Sequence, residues 1–250
     1  MLLTFIGVGE AFDPGMGTSC TLVHGEKTTL LIDCGYACLG QLYSILNSPN
    51  EIDTIYITHF HADHLFGVIP LLAAWKAWGR TAPLTVISQP GIEERIAALI
   101  RLGYPHCDEQ LPYNIDYLET VDQVNVGGMQ LTFAPSDHSL TNYAVKISEG
   151  DQAIGFSGDG GLTPETRELF HDCHILVHEA FGLESAIEGH TTAKEVIAYA
   201  RSLPNLQTLA LVHLQKDERS KHLDQFKRLD NEEAFKIYLP EPGSTLPIRS

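Results

Sequence analysis

Basic residues are scarce in this chain of 250 residues. Lys and Arg together number 16 and Asp and Glu number 32, which gives a formal net charge of −16 at pH 7. Such an excess of negative charge repels a polyanion unless the basic residues gather in one place. They do not gather, because Lys216, Arg219 and Lys221 are interleaved with Asp217 and Glu218. The composition therefore disfavours a nucleic-acid partner without excluding one.

Long apolar runs and paired cysteines are also missing. No stretch reaches the roughly 18 apolar residues of a membrane span, and the N-terminal M-L-L-T-F-I-G-V-G-E lacks the basic start of an export signal. The cysteines are odd in number and include no C-x-x-C pair, which is typical of reduced thiols in the cytosol. We therefore expect a soluble, cytoplasmic protein without a membrane partner. The cysteines are Cys20, Cys34, Cys38, Cys107 and Cys173.

The chain is long enough to bury a sizeable core. Hydrophobic residues make up 44% of it, and α/β folds of this size commonly stay undivided. The sequence predicts one α/β domain over residues 1–250 and leaves a homodimer open. Strands are expected at Leu2 to Ile6, Cys20 to His24, Thr28 to Ile32, Asp53 to Thr58, Leu84 to Ser88, Met129 to Ala134, Tyr143 to Ile147, Gln152 to Phe156, Ile175 to Val177, Thr208 to Val212 and Phe235 to Leu239. Helices are expected at Gly40 to Leu46, Leu65 to Trp78, Ile92 to Leu102, Pro164 to Phe170, Thr192 to Ser202 and Leu223 to Asp230.

Histidine and aspartate crowd into the short run T-H-F-H-A-D-H at residues 58–64. His nitrogen and Asp oxygen are ligands of Zn²⁺. The run lies between a strand-like stretch and an apolar helical one, so we expect a loop on which the side chains can turn toward one point. A solvated cluster beside a helix cap is the alternative, but crowding polar groups without a partner is costly. The run therefore predicts a metal site with His59, His61, Asp63 and His64 as ligands.

Three further candidate ligands each stand at the end of a strand-like run. They are His138, Asp159 and His213. Singly each is a weak signal, because a His or Asp in such a place is commonly a turn or surface residue. Together with the first cluster they supply enough ligands for two metals that share one carboxylate.

The H-x-H-x-D-H spacing and the later single residues resemble the metallo-β-lactamase superfamily, and the resemblance covers nearly the whole chain. It implies a four-layer αββα sandwich and two Zn²⁺ ions, with Mn²⁺ or Fe²⁺ as alternatives. In the family pattern one metal is held by His59, His61 and His138, the second by Asp63, His64 and His213, and Asp159 bridges both. Asp33 fits the pattern as a residue that holds a metal-bound imidazole. An ordinary turn Asp before Gly35 is the alternative.

A second motif, H-E-A at residues 178–180 followed by G-H-T-T at residues 189–192, resembles the tRNase Z-like phosphodiesterases. The resemblance implies that His190 stabilises charge and protonates the leaving oxygen while Glu179 holds its ring. A structural role for His190 beside the helix that starts near Thr191 is the alternative. His178 is expected to be structural.

Two departures separate the chain from the tRNA-processing enzymes that it resembles. Those enzymes carry an RNA-binding arm between the third His and the bridging Asp, but only 21 positions (159 − 138) separate His138 from Asp159 here. They also carry a basic loop near the N-terminus, whereas residues 10–19 contain no Lys or Arg. We therefore expect a small substrate and no RNA-binding arm.

The leading hypothesis is a metal-dependent phosphodiesterase that uses a hydroxide activated by two zinc ions on a small or cyclic nucleotide-type phosphodiester. The first alternative is a tRNase Z-like endoribonuclease that processes tRNA 3′ ends. The second is a lactonase, thioesterase or β-lactamase-type hydrolase, which would not need the pair of Glu179 and His190. A redox di-iron protein is disfavoured because such sites tend to carry Glu in place of His61, and a metal-free scaffold because every ligand position is kept. The candidate catalytic residues are Asp63, Asp159, Glu179 and His190.

Overall fold

The computed structural model describes residues 1–105, 111–120, 123–229 and 233–248. Strands and helices alternate along most of this length. The elements are β1 (Leu2–Gly7), β2 (Cys20–His24), β3 (Thr29–Ile32), α1 (Leu39–Ile45), β4 (Thr54–Tyr56), α2 (Ala62–Leu65), α3 (Val68–Ala77), β5 (Leu84–Ser88), α4 (Ile92–Gly103), β6 (Ile115–Glu119), β7 (Gln123–Val126), β8 (Met129–Pro135), β9 (Tyr143–Glu149), β10 (Gln152–Phe156), α5 (Pro164–Leu169), β11 (Ile175–Glu179), α6 (Ala193–Ala200), β12 (Thr208–Val212), α7 (Lys216–Leu229), β13 (Lys236–Tyr238) and β14 (Thr245–Pro247).

The strands form two mixed sheets of seven strands each, in the orders β14-β1-β2-β3-β4-β5-β6 and β13-β12-β11-β10-β9-β8-β7. In each sheet one half is parallel, from β3 to β6 and from β10 to β13. Parallel neighbours need crossover connections, and the helices lie in these crossovers on the outer faces. The predicted four-layer αββα sandwich is confirmed.

The strands are apolar on both faces because both faces are buried. In β3, Leu31 packs outward under the helices, whereas Leu30 and Ile32 belong to the cluster between the sheets. In β11 the same alternation sends Leu176 outward and Val177 inward. Burying one such side chain contributes about 1.5–3 kcal/mol. The two sheets are therefore held face to face by a shared apolar layer, and their strand ends meet at a common edge.

The prediction that the His-rich run at residues 58–64 forms a loop is wrong for the second half of the run. The predicted helix Leu65 to Trp78 is two helices, and the first, α2, begins at Ala62, so that Asp63 and His64 lie in its first turn. The backbone N–H groups of His64 and Leu65 both donate to the carbonyl of His61. An acidic residue in a first turn is favoured by the helix dipole. Asp63 therefore indicates a helix start, but in the sequence it also belongs to the metal motif, which masks this indication.

Helix α7 begins at Lys216, seven positions (223 − 216) before the predicted start at Leu223. Its first turns are polar and contain Asp217 and Glu218, so the apolar periodicity that marks a helix is weak there. The predicted last residue of this helix, Asp230, lies outside the described residues, as does Cys107.

The edge strands β6, β7 and β14 were not predicted. They are short and largely exposed, so they lack the apolar pattern of the central strands. Within the described ranges, no helix has the length and apolar character required to cross a membrane.

Candidate metal centre

The site lies where the parallel halves of the two sheets end. The carboxyl ends of parallel strands share one edge of a sheet, and ligands of open α/β sheets bind there. Asp33 and His59 follow the parallel pair β3 and β4, while Asp159 and His213 follow β10 and β12. His138 joins them from the loop after β8. The fold therefore brings all of the predicted ligands to one place.

One group of candidate ligands comprises His59, His61, His138 and Asp159, whose ligating atoms lie within 4.8 Å of one another. Nδ1 of His61 is 3.0 Å from Nε2 of His59 and 3.2 Å from Nε2 of His138. Nε2 of His59 is 3.7 Å from a carboxylate oxygen of Asp159. This is the set that the sequence assigned to the first metal together with the bridging Asp.

A second group comprises Asp63, His64, Asp159 and His213, again within 4.8 Å and fully buried. Nε2 of His64 is 3.2 Å from Oδ1 of Asp159, and Nε2 of His213 is 3.4 Å from Oδ2 of the same residue. Oδ2 of Asp63 is 3.3 Å from Nε2 of His213. Asp159 thus belongs to both groups, with one carboxylate oxygen toward each of these two histidines.

The chemistry of these residues fits a pair of divalent cations. Nε2 of His64 and Oδ1 of Asp159 are buried and lie 3.2 Å apart without forming a hydrogen bond to each other or to any other group, which is costly unless another ligand satisfies them. In the first group, three imidazole nitrogens face one another closely, an arrangement that a shared cation stabilises. Both groups could hold a metal ion.

The electrostatics of the two groups agree with this interpretation. Burial, together with the neighbouring His64, lowers the pKa of His59 well below its usual value, and the neutral imidazole is the form that binds metal. Burial alone would also lower the pKa of His213, but the carboxylates of Asp159 and Asp63 outweigh it and raise that pKa to about 9. Burial opposes the charge of Asp159, yet His213 and His64 hold the pKa of Asp159 well below its usual value. The carboxylates therefore attract positive charge to this position.

Asp33 holds the ring of His64, a member of the second group, by a hydrogen bond. Its Oδ2 accepts a 2.7 Å hydrogen bond from Nδ1 of His64, which leaves Nε2 of that ring to face the site. Its Oδ1 accepts from the backbone N–H of Thr58 at 2.8 Å. Asp33 is buried and has a left-handed backbone with φ of 56°, which non-glycine residues rarely adopt. The structure therefore favours the imidazole-holding role over the ordinary turn.

Glu179 and His190 meet beside the two groups. Oε1 of Glu179 accepts from Nδ1 of His190 at 3.2 Å and from the backbone N–H groups of Gly160 and Thr191 at 3.1 and 3.0 Å. Burial raises the pKa of Glu179. His190 is half-buried, so its ring is held at one nitrogen while the site side stays accessible. Thr192 begins helix α6, with a capping box to Glu195.

One residue that the sequence did not single out, Phe181, completes the surroundings of His190. The ring of Phe181 lies 4.9 Å from that of His190, and the ring of His213 stacks on that of His190 at 5.5 Å with an interplanar angle of 13°. The carbonyl of Gly189 accepts a 2.7 Å hydrogen bond from Nδ1 of His138. Phe181 follows the H-E-A motif directly, and this adjacency was the only signal for it.

His178 points away from this arrangement. It is buried, donates from Nδ1 to the carbonyl of Glu179 at 2.8 Å and packs against Phe170. Burial lowers its pKa to about 4. These contacts agree with the structural role expected from the sequence.

The segment between His138 and Asp159 is compact. It is filled by the hairpin of β9 and β10, and Asn142 ties it together by donating to Oγ of Ser136 at 2.7 Å and to the carbonyl of Ser157 at 2.8 Å. The hairpin therefore replaces a protruding arm, as the sequence predicted.

The loop at residues 10–19 is similarly fixed. The backbone N–H of Phe12 donates to Glu10 at 2.7 Å, Asp13 accepts from Gly15 at 2.8 Å, and the hydroxyl of Tyr36 donates to the carbonyl of Ala11. The loop contributes acidic and apolar side chains beside the site but no basic one.

Comparison with known proteins gives one family and several relatives. A family model described as Anti-Pycsar protein Apyc1 matches residues 1–233. The Ribonuclease Z of Methanothermobacter thermautotrophicus is 26% identical over 272 residues, covering 86% of this chain and 86% of that protein. The short form of human tRNase Z superposes with a TM-score of 0.81 at 19% identity, covering 100% of both chains. The metallo-β-lactamase fold protein YhfI of Bacillus subtilis superposes with a TM-score of 0.82 at 20% identity, covering 98% of this chain and 99% of that chain.

Proposed function

The chain belongs to the Anti-Pycsar protein Apyc1 family, within the tRNase Z-like branch of the metallo-β-lactamase superfamily of hydrolases, and on this premise we propose that it is a phosphodiesterase for a small or cyclic nucleotide-type phosphodiester. The observation that carries the proposal is the placement of His190. Its ring stacks on that of His213, lies 5.1 Å from that of His138 and is held by Glu179, so a candidate proton donor lies next to both candidate metal groups.

The proposed ligands are those of the family pattern. His59, His61 and His138 would hold one Zn²⁺, Asp63, His64 and His213 would hold the other, and Asp159 would bridge them. When bound, the two ions supply Lewis acidity for a phosphoryl oxygen and for the attacking water. Asp63 and Asp159, whose carboxylates lie within the second group, would orient the attacking water.

His190 would act on the leaving group. Its Nδ1 is engaged by Glu179 at 3.2 Å, so its Nε2 is left to face the substrate. Protonation of the leaving oxygen by a placed imidazole is worth about 10²–10⁴ in rate. Lactones and thioesters do not require this pair, which is why its presence favours a phosphodiester.

The surroundings of the site support a small substrate. The compact hairpin of β9 and β10 leaves no arm to grip RNA, and the loop at residues 10–19 offers no basic side chain to its phosphates. Binding a polyanion to a chain of net charge −16 would need such contacts. The cysteines Cys20, Cys34, Cys38 and Cys173 are free and buried, which supports a reducing, cytoplasmic setting.

Cleavage of tRNA precursors is the second candidate. It is favoured by the Ribonuclease Z of Methanothermobacter thermautotrophicus, whose alignment covers 86% of this chain and 86% of that protein. The same metal residues and the same acid would serve this reaction.

One assay separates the candidates. Purified protein loaded with Zn²⁺ or Mn²⁺ is tested against cyclic nucleotides, a bis-aryl phosphodiester, pre-tRNA, lactones and thioesters, with His190→Ala as the matched variant. We expect turnover of the small phosphodiesters that depends on His190. Turnover of lactones or thioesters alone, unaffected by His190→Ala, would overturn the proposal.

A further inference from the structure

Two buried polar atoms beside the site lack hydrogen-bond partners, and they belong to two residues that lie close together. Oε2 of Glu179 and Nδ1 of His213 are both without a hydrogen bond, and the two residues are only 1% and 4% exposed. A carboxylate oxygen of Glu179 and ring nitrogens of His190 and His213 lie within 4.8 Å of one another. Leaving a buried polar group unpaired in this way is unfavourable, so each of the two atoms calls for a partner.

The orientation of the His213 ring determines what its Nδ1 requires. Nε2 of His213 faces Asp63 and Asp159 at 3.3 and 3.4 Å, so a metal in the second group would be bound through Nε2. A neutral imidazole that offers Nε2 as an acceptor carries its proton on Nδ1. That proton needs an acceptor, because the partner of the second nitrogen fixes both the tautomer and the ring of a metal-binding histidine.

The carboxylate of Glu179 can also accept the Nδ1 proton of His213, because only one of its two oxygens is already hydrogen-bonded. Oε1 is already occupied by three donors, from Gly160, His190 and Thr191. Oε2 takes part in none of these bonds and is the unpartnered oxygen. The two oxygens therefore face different neighbours.

We propose that Glu179 is a shared support, which holds the proton donor His190 through Oε1 and fixes the metal-binding tautomer of His213 through Oε2. The inference rests on the proposed ligand role of His213. It extends the role of Glu179 from the leaving group to the second metal. Glu179 is thus a positioning residue for both halves of the site.

The isosteric variant Glu179→Gln tests whether Oε1 and Oε2 have these separate roles. The three donors require an oxygen at the Oε1 position, so they orient the amide with its NH₂ group in the place of Oε2. That NH₂ group would meet the Nδ1 proton of His213, donor against donor. This clash is relieved if the proton of His213 moves to Nε2, but Nε2 can then no longer bind the metal.

The experiment measures metal affinity and needs no turnover. Metal-free wild-type protein, Glu179→Gln, Glu179→Ala and the control His190→Ala are titrated with Zn²⁺ in competition with a chromophoric chelator. We expect Glu179→Gln to weaken the second equivalent by about 10–100-fold, with the first equivalent unchanged. Glu179→Ala should weaken it less, because it removes the acceptor without adding a donor. His190→Ala should bind both equivalents as the wild type does.

The outcomes distinguish this inference from the proposed function. Wild-type protein that binds fewer than two equivalents would overturn the ligand assignment and the inference with it. Two equivalents bound with equal affinity by wild type and Glu179→Gln would overturn the inference alone. If Glu179→Gln does not fold, ¹⁵N NMR of the zinc-loaded wild type decides. A slowly exchanging Nδ1 proton on His213 supports the inference, and an unprotonated Nδ1 refutes it.

Discussion

Nδ1 of His138 donates a 2.7 Å hydrogen bond to the carbonyl oxygen of Gly189, across 51 positions of sequence. The same peptide precedes His190. The third histidine of the first metal group and the proposed proton donor are therefore joined through a single backbone unit. A change in this unit should affect both.

Gly189→Ala tests that connection. Gly189 has φ of 80°, and an added Cβ would lie 3.2 Å from the backbone nitrogen of Ser139. We expect a loss of about 1–2 kcal/mol in unfolding free energy from the left-handed backbone, measured by denaturant titration, together with a fall in kcat. Gly79→Ala provides the control, because its φ of 79° is similar but nothing lies within 4 Å of its Cβ. Equal kinetic losses in both variants would contradict the connection.

The metal content follows from the two groups that share Asp159. We expect close to two transition-metal ions per chain in carefully isolated protein, measured by elemental analysis. Asp159→Ala should lose at least one ion and nearly all activity, because its carboxylate faces both groups. Asp151→Ala, in the exposed turn between β9 and β10, should change neither. Metal-free protein with activity that survives a chelator would refute this prediction.

Substrate size should govern catalytic efficiency. The compact hairpin and the acidic loop lead us to expect a higher kcat/KM for a small phosphodiester than for pre-tRNA. Rates on the small substrate should vary little with salt, because few phosphates are neutralised. The measurement is kcat/KM for both substrates over a series of salt concentrations. Efficient and steeply salt-sensitive cleavage of pre-tRNA would reverse the ranking.

The leaving group should reveal the role of His190. We expect His190→Ala to lower kcat by about 10²–10⁴ on a diester with a poor leaving group, since no other proton donor is proposed there. With a nitrophenolate leaving group, which departs without a proton, the loss should be much smaller. His222→Ala, on α7, serves as the control. Equal losses on both substrates would show that His190 binds phosphate without donating a proton.

Acid stability should depend on His178. Its pKa is about 4 in the folded protein because burial opposes its charge, against 6.5 for the ordinary group. As the pH falls, the unfolded chain therefore binds this proton before the folded protein does. The free energy of unfolding keeps its full value above pH 6.5 and decreases as the pH falls toward 4. The difference of about 2.5 pH units corresponds to about 3 kcal/mol.

His178→Gln should remove this part of the acid sensitivity. The measurement is the unfolding free energy of metal-free protein between pH 7 and pH 4, and the variant should lose about 3 kcal/mol less than wild type over that range. The exposed His171→Gln should follow wild type. Parallel curves for His178→Gln and wild type would contradict the assignment.

The sequence identified the residues that gather at the candidate metal centre, because the motif that they form is chemically specific. Few structures other than a metal site accommodate His59, His61, Asp63 and His64 so close together, and the fold places them as the motif requires. Their role as ligands remains a prediction. Strands such as β5, β10 and β12 were predicted end to end because both of their faces are apolar.

What the sequence could not show are contacts between distant segments. The bond from His138 to Gly189 depends on a backbone carbonyl, which carries no signature in the residue type. The contact of Phe181 with His190 looks in sequence like any apolar residue after a strand. The polar start of α7 and the exposed strands β6 and β7 were missed because periodicity reports burial, and these segments have little of it.

The spread of the proposed ligands along the chain sets an order for their acquisition during synthesis. The first group is complete once Asp159 has left the ribosome, but the second lacks His213 until β12 has been made. A nascent chain would therefore capture one ion well before the other. If the second position binds a metal as proposed, its loading would report that β12 has paired with β11.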